Sequence, residues 1–297
     1  MNRPALREIA LGELTFEVLD ESGSSTSLKS SAQSTIPVLL LHGFPQDLTS
    51  WDALASGLHE AGYRTIRPNL RGYSPGARPV DIDAYRMRHL VDDVLALADA
   101  LAVERCHVIG HDWGGALAWA VASEAPERVA TLTVLSTPYP SAMTRVALRS
   151  DQGLRSWYMA AFQLPSLPER LLQPPSRAWS ALMRGLPSAV QEHYTQRAAE
   201  PGALSGMLAW YRAMGREMRD PSLHWHRIKV PTLYCWGARD PALGAAAARA
   251  TRNYVTGPYT FLVLPEHGHW LPERAADCIL PSILAHVDAQ YSETPGS

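Results

Sequence analysis

Apolar and polar positions along this chain predict strands and helices in alternation. Residues 14–19 alternate as a half-buried strand does, and 36–41 form a continuous apolar run typical of the middle of a parallel sheet. The serine-rich stretch 21–34 between them is too polar to bury, so we expect a mobile hairpin tip there. Residues 85–101 place apolar side chains on one helical face. Further strands are expected at 63–68, 105–109 and 129–135, and further helices at 51–61 and 116–123. This order predicts a doubly wound, mostly parallel sheet.

The alternation stops between Pro138 and about Trp225. Repeated prolines there separate short stretches rich in Trp, Tyr, Met and Arg, and none of them alternates as a strand would. Beyond this segment, strands are expected at 230–236 and 259–264, and helices at 244–254 and 274–287. Because the sheet pattern resumes, we expect one α/β core built from 1–137 and 226–297, with a helical cap inserted at 138–225.

Composition and charge narrow the class of protein. The chain has 297 residues, of which 46% are hydrophobic, and its net charge of −2 gives no electrostatic case for binding nucleic acid or an anionic membrane. Cys106, Cys235 and Cys278 have no metal-like spacing, and no metal or cofactor is expected. No apolar run reaches transmembrane length, so a cytoplasmic location is expected. A homodimer remains possible.

The stretch Gly110-His111-Asp112-Trp113-Gly114-Gly115 has the pattern of a nucleophile elbow, with aspartate in place of the usual serine. It follows a predicted strand and precedes a predicted helix, as an elbow requires. A carboxylate that displaces a leaving group at saturated carbon forms an ester, which water can hydrolyse to regenerate the enzyme. A lone aspartate in a glycine-rich turn is also a common Asx-turn. As a nucleophile, Asp112 would indicate hydrolysis of an alkylating substrate.

His42-Gly43-Phe44-Pro45 follows the apolar run at 36–41, and together with the elbow it resembles the epoxide hydrolase branch of the α/β-hydrolase fold. The resemblance covers nearly all of the chain. It implies an α/β-hydrolase fold with an inserted helical cap. It also implies that Asp112 is the nucleophile of a catalytic triad.

The resemblance also implies the other two members of the triad. Gly237-Ala238-Arg239-Asp240 follows a strand as the acid does in this family, which indicates Asp240, although Asp before Pro241 is also a good helix N-cap. The family's Gly-His-Trp matches His269 as the base and leaves His267 as a partly exposed loop residue. Asp240 would then orient His269, and His269 would activate water against the ester.

Backbone amides must stabilise the oxyanion of such an intermediate, and by resemblance these belong to Phe44 and Trp113. The Phe44–Pro45 bond is often cis in the family. His42 is better interpreted as a structural hydrogen-bonding residue beneath this loop. Arg71-Gly72-Tyr73 resembles the family's Arg-Gly-Tyr-Gly turn, from which Ser74 departs, and we expect it to be structural.

Two cap tyrosines distinguish epoxide opening from halide displacement in this family, because they hydrogen-bond the leaving alkoxide. Tyr158, between Trp157 and the Phe162-Gln163 pair, resembles the first, and Tyr211 before Arg212 resembles the second. Both could instead be ordinary packing residues. With them, the resemblance implies hydrolysis of a small apolar epoxide by water.

Two other functions remain as alternatives. A haloalkane or haloacid dehalogenase uses the same Asp, His and Asp triad, and the indoles of Trp113, Trp157 and Trp210 could bind a halide, although Phe44 replaces the asparagine often found there. A non-catalytic ligand receptor on the same fold is a more remote possibility. A serine esterase is disfavoured because the elbow at 110–114 carries Asp112 where an esterase carries serine.

Overall fold

A single sheet organises the computed structural model, which describes residues 6–23, 36–147 and 149–292. Its eight strands in the described residues are β1 (Arg7–Leu11), β2 (Leu14–Glu21), β3 (Val38–Leu41), β4 (Thr65–Pro68), β5 (Cys106–His111), β6 (Val129–Leu135), β7 (Thr232–Gly237) and β8 (Tyr259–Leu264). They lie in the order β1-β2-β4-β3-β5-β6-β7-β8. The pairings β1–β2 and β2–β4 are antiparallel, and all others are parallel. The predicted doubly wound, mostly parallel sheet is confirmed.

Helices cover both faces of this sheet. In the described residues they are α1 (Asp52–Glu60), α2 (Met87–Ala100), α3 (Trp113–Glu124), α4 (Pro140–Ala147), α5 (Gln152–Arg155), α6 (Trp157–Ala161), α7 (Leu167–Leu172), α8 (Arg177–Leu182), α9 (Ser188–Ala198), α10 (Ala203–Glu217), α11 (Ala245–Ala250), α12 (Leu271–Arg274) and α13 (Ala276–Ser292). One apolar cluster packs α1 and α13 on one face of the sheet, and another packs α2 and α3 on the opposite face. Every residue of strands β3 to β7 is buried, because both faces are covered.

Three sequence expectations need comment. β1 was not predicted, because only its Ile9 and Leu11 are even partly buried and the other positions are exposed. The helix expected at 274–287 is α13, which begins two residues later, at Ala276, and continues to Ser292, while Arg274 ends the short helix α12. The expected hairpin tip at 21–34 falls largely on residues 24–35, which lie outside the described residues. Of the three cysteines, Cys106 and Cys235 are buried and Cys278 is exposed.

Helices α4 to α10 all lie between β6 and β7, within the segment for which an insertion was predicted. The last of them, α10, contacts the turn that follows β4 at close range. A Cβ atom added at Gly206 would lie 2.7 Å from the carbonyl oxygen of Gly72, so only glycine allows this approach. One turn further along α10, the Trp210 indole donates to the Arg71 carbonyl at 2.8 Å. These contacts fix the position of α10 on the core.

Helix α9 is attached to the core by polar side chains. His193 Nε2 lies 2.6 Å from Asp47 Oδ2, and the Tyr194 hydroxyl donates to Glu273 Oε1 at 2.9 Å. Arg197 donates to Glu17 at 2.9 Å. Among the described residues, no helix combines the length and apolar character needed to cross a membrane.

The contact between His193 and Asp47 should make stability depend on pH. The hydrogen bond to Asp47 raises the pKa of His193, and His193 in turn lowers the pKa of Asp47 despite the opposing effect of burial. The contact therefore stabilises the fold below about pH 6.5, is lost as pH rises through the raised pKa of His193, and is also lost in acid below about pH 4. We expect His193→Gln to lower the urea midpoint near about pH 6 and to have little effect near about pH 9.

The matched control is His89→Gln, which replaces an exposed histidine on α2. Equal losses for His193→Gln at both pH values would contradict a protonation-dependent contact.

Candidate active site

The elbow predicted from the sequence is present where β5 passes into α3. Asp112 has φ 51° and ψ −120°, a strained conformation for a residue with a side chain. Its carbonyl oxygen accepts from the Thr137 hydroxyl at 2.7 Å and from the Ala116 amide at 3.0 Å. A Cβ atom at Gly114 would lie 2.0 Å from the carbonyl oxygen of Leu41, so the helix can pass this close to β3 only with glycine there. The turn therefore projects the Asp112 carboxylate beyond the sheet.

The Asp112 carboxylate has a hydrogen bond on one oxygen and an ion-pair contact on the other. The Phe44 amide donates to Oδ1 at 2.8 Å, and His269 Nε2 lies 3.5 Å from Oδ2. Burial by itself would raise the pKa of Asp112, but His269 and the Phe44 amide hold it below its ordinary value. The group is thus an anion at neutral pH. The Phe44–Pro45 bond is cis. Among the described residues, no hydrogen bond joins the Trp113 amide to this carboxylate, so its oxyanion role stays a prediction.

His269 lies between two carboxylates. Its Nδ1 is 2.8 Å from Asp240 Oδ2, and this oxygen belongs to a side chain with no exposed surface. Burial opposes the charged imidazole, but Asp240 and Asp112 together raise the pKa of His269 well above its ordinary value. Free of substrate, the site therefore holds an imidazolium between two anions.

Asp240 also orders its own loop. Its Oδ1 accepts from the amides of Ala242 and Leu243 at 2.8 and 3.0 Å. The interpretation of Asp240 as a helix N-cap is wrong, because α11 begins at Ala245 and Gly244 is its N-cap. The carboxylate instead closes a turn before the helix, which leaves Oδ2 for His269.

The second histidine of the loop is placed differently. His267 is half-buried, and its carbonyl oxygen accepts from the Arg239 amide at 2.9 Å. No contact joins its imidazole to Asp112 or Asp240 in the described part of the chain. Of the two histidines, His269 is the one that contacts both carboxylates.

The two predicted tyrosines come from separate helices and meet over the elbow. Tyr158 on α6 and Tyr211 on α10 have ring centroids 6.1 Å apart. Tyr211 also contacts Phe44, Trp113 and Phe162, with centroid distances of 5.4, 4.9 and 4.9 Å. Burial, followed by the charge of Asp112, raises the pKa of both hydroxyls, so both remain phenols and can donate.

Three buried polar residues behind the site were not predicted. Gln46 Oε1 accepts from the Gly43 amide at 2.9 Å and lies 2.8 Å from His111 Nδ1. His111 Nε2 lies 2.8 Å from the carbonyl oxygen of His269, which also accepts from the Ser136 hydroxyl at 2.9 Å. These contacts fix the loop of His269 relative to the loop of Phe44. The sequence offers one clue, because the polar Gln46 directly follows the motif His42-Gly43-Phe44-Pro45.

The predicted structural residues are in supporting positions. His42 accepts from the Leu70 amide at 3.1 Å, and burial lowers its pKa to about 4. Arg71 makes two hydrogen bonds with Asp93, at 2.7 and 2.6 Å, and so holds the turn after β4 against α2. Among the described residues, no group of three or more His, Cys, Asp or Glu side chains is arranged to hold a metal ion.

Comparison with known proteins places this geometry in a family. A family profile described as the α/β hydrolase fold matches residues 36–275. AB hydrolase superfamily protein YfhM of Bacillus subtilis is 35% identical over 85% of this chain and 90% of its own. Epoxide hydrolase 4 of Mus musculus is 31% identical over 94% of this chain and 80% of its own. A solved epoxide hydrolase of the α/β hydrolase superfamily, from metagenomes of hot environments, is 25% identical with a TM-score of 0.82, and the match covers 96% of this chain and 99% of that one.

The chain belongs to the α/β hydrolase fold family and, within that family, to its epoxide hydrolase branch. The fold and family expected from the motifs at Gly43 and Asp112 are confirmed.

The geometry around His269 generates a direct test. Asp240→Asn removes the buried charge beside Nδ1, so the pKa of His269 should fall toward its ordinary value. The measurement is a titration of the His269 ring resonances by NMR. Glu266→Gln is the control, because it removes an exposed carboxylate from the same loop. An unchanged His269 titration in Asp240→Asn would show that Asp240 does not set its charge.

Proposed function

We propose that this enzyme hydrolyses a small apolar epoxide to a vicinal diol through a covalent ester on Asp112. One observation carries the proposal: an ionised Asp112 that accepts from the Phe44 amide and lies 3.5 Å from His269, with two phenolic tyrosines nearby. Membership of the epoxide hydrolase branch supports an epoxide as the substrate. The helices between β6 and β7 would form a cap, residues 138–225, over the core. Water would be the second substrate.

In the first step, Asp112 Oδ2 attacks an epoxide carbon. Oδ1 is the oxygen bonded to the Phe44 amide, so it becomes the carbonyl oxygen of the ester and stays in place. The carbon–oxygen bond of the epoxide breaks as the new ester bond forms. Tyr158 and Tyr211 hydrogen-bond the departing oxygen, and a proton from one of them converts the alkoxide to a hydroxyl.

In the second step, His269 becomes a base because its surroundings have changed. Alkylation neutralises Asp112, which removes one of the two anions that raise the pKa of His269. The imidazolium then passes its proton to the phenolate left by the first step, and neutral His269 removes a proton from water as the water attacks the ester carbonyl. That proton passes to the product oxygen as the ester bond breaks, and the proton left on the Asp112 carboxyl group restores the imidazolium. Asp240 compensates the charge that returns to the ring. The first step therefore prepares the base that the second step needs.

The positions of two of the three candidate indoles disfavour the dehalogenase alternative. A halide site needs indole N–H groups that converge on the leaving anion. Trp210 donates its N–H to the Arg71 carbonyl instead, and Trp157 is 71% exposed. Phe44 also packs its ring against Tyr211, which supports a site built for an oxygen leaving group.

Replacement of the base should trap the ester. In His269→Gln, alkylation stays possible while hydrolysis is blocked, so the intact-protein mass should increase by the mass of the epoxide, and peptide mapping should place the addition on Asp112. His267→Gln is the control and should keep turning over without accumulating an adduct. An adduct on another residue, or none at all, would exclude the ester on Asp112.

Replacement of the tyrosines should affect epoxides selectively. Tyr158→Phe and Tyr211→Phe should each slow alkylation by roughly tenfold to ten-thousandfold, the range of general acid catalysis, and the double variant should be slower than either. Diol formation from epoxides and halide release from haloalkanes and fluoroacetate are measured for each protein. Undiminished diol formation by the double variant would contradict epoxide opening by these hydroxyls, and halide release would favour the dehalogenase.

A further inference from the structure

Glu273 carries a carboxyl group that neither proposed step uses. It lies on α12, four residues after His269. Its Oε1 accepts from Gln46 Nε2 at 2.7 Å and from the Tyr194 hydroxyl at 2.9 Å. Its Oε2 is buried and has no hydrogen-bond partner among the described residues. The partnered oxygen therefore joins the core loop of Gln46 to the inserted helix α9.

This oxygen fixes the direction in which the Gln46 amide points. Gln46 is fully buried, and its Oε1 accepts from the Gly43 amide at 2.9 Å and lies 2.8 Å from His111 Nδ1. If the amide turned over, its NH2 group would face the Gly43 N–H, and two donors would meet. At the other end, Glu273 Oε1 accepts from the NH2 group. Glu273 and Gly43 together thus permit one orientation of Gln46.

The link does not depend on the charge of Glu273. Burial raises the pKa of Glu273, and the hydrogen bonds from Gln46 and Tyr194 oppose that rise. Oε1 already accepts two hydrogen bonds, so a proton taken up by Glu273 would lie on Oε2. Oε1 remains an acceptor for Gln46 in both protonation states.

The orientation of Gln46 affects both sides of the reacting centre. On one side is the loop of Phe44, whose amide donates to Asp112 Oδ1 at 2.8 Å. On the other side, His111 Nε2 lies 2.8 Å from the carbonyl oxygen of His269. Groups that react are held in place by hydrogen bonds from the residues behind them. A loosened Gln46 would therefore release the Phe44 amide and the loop of the base together.

The Phe44 amide influences the two proposed steps in opposite directions. Alkylation converts Asp112 from an anion to a neutral ester, so a donor to Oδ1 stabilises the starting state of that step more than its product. Attack of water on the ester carbonyl returns negative charge to Oδ1, so the same donor stabilises the transition state of hydrolysis. A weakened contact from the Phe44 amide should therefore slow hydrolysis and leave alkylation at least as fast.

We infer that Glu273 is a positioning residue for the hydrolytic step, in which its Oε1 holds Gln46, and Gln46 holds the Phe44 amide and the loop of His269. This role rests on the proposed function and extends it to a residue outside the triad. Loss of the hydrogen bond between Gln46 and Glu273 should make the covalent ester accumulate during turnover. Tyr194 donates to the same oxygen from α9 and provides the matched control.

The two steps can be measured separately by rapid mixing of enzyme with epoxide and quenching in acid. Intact-protein mass spectrometry then gives the rate at which the Asp112 ester forms and the rate at which it disappears. Glu273→Leu removes the acceptor for Gln46. It should slow ester hydrolysis by roughly tenfold to hundredfold, the range for a buried donor left without a partner, with no loss in the alkylation rate. More of this variant than of the wild type should therefore be present as ester during turnover.

Two further variants separate positioning from charge and from general loosening. Tyr194→Phe removes the other hydrogen bond to the same oxygen and should leave the ratio of the two rates as in the wild type. Glu273→Gln keeps an acceptor oxygen without the charge and should restore most of the hydrolytic rate lost in Glu273→Leu. Equal slowing of both steps in Glu273→Leu would overturn the inference, as would equal ester accumulation in Glu273→Leu and either of the other two variants.

Gln46→Met breaks the same link from its other end and should also accumulate ester, so a poorly folded Glu273→Leu protein would not prevent a decision. If no ester forms in any of these proteins or in His269→Gln, the proposed function has failed. Hydrogen exchange of the Phe44 amide, followed by NMR, then decides the positioning role alone. Exchange should be faster in Glu273→Leu or Gln46→Met than in Tyr194→Phe, and equal exchange in all of them would overturn the inference.

Discussion

One imidazole held between two carboxylates is the constraint on which the rest of the site depends. His269 lies 2.8 Å from Asp240 and 3.5 Å from Asp112, and all three side chains are largely withdrawn from water. Two anions on either side of one ring repel each other in a low-dielectric environment, and the proton on His269 compensates this repulsion. The three groups follow different strands of one sheet. The alignment of β5, β7 and β8 must therefore be correct before any of these charges is compensated.

This dependence on the sheet explains what could be predicted from the sequence. Asp112 and Asp240 each follow a continuous buried strand, and such strands are readable from apolar runs alone. β1 was missed because an edge strand with most positions exposed leaves a weak pattern. The contacts of His111 with Gln46 and with the His269 carbonyl could not be predicted either, because they join residues 65 and 158 positions apart. A hydrogen bond between residues so far apart leaves no periodic pattern in the local sequence.

The tyrosines illustrate a second limit of sequence information. Motifs placed Tyr158 and Tyr211 in one site, but they made the two residues look alike. Their difference comes from the rings around them, and those rings belong to separate parts of the chain: Phe44 and Trp113 to the core, Phe162 to the inserted helices. This aromatic packing depends on the position of α10. That position is fixed by the close approach of Gly206 to Gly72 and by the hydrogen bond from Trp210 to the Arg71 carbonyl.

The position of helices α4 to α10 along the chain has an evolutionary consequence. They begin after β6 and end before β7, so Asp112 is encoded before them and both Asp240 and His269 after them. A lineage could exchange or reshape this stretch and keep the charged groups intact, provided that a glycine still faces Gly72 and a donor still reaches the Arg71 carbonyl. Selection for new substrates can then act on one stretch of the gene while the reacting groups are inherited unchanged in the other two.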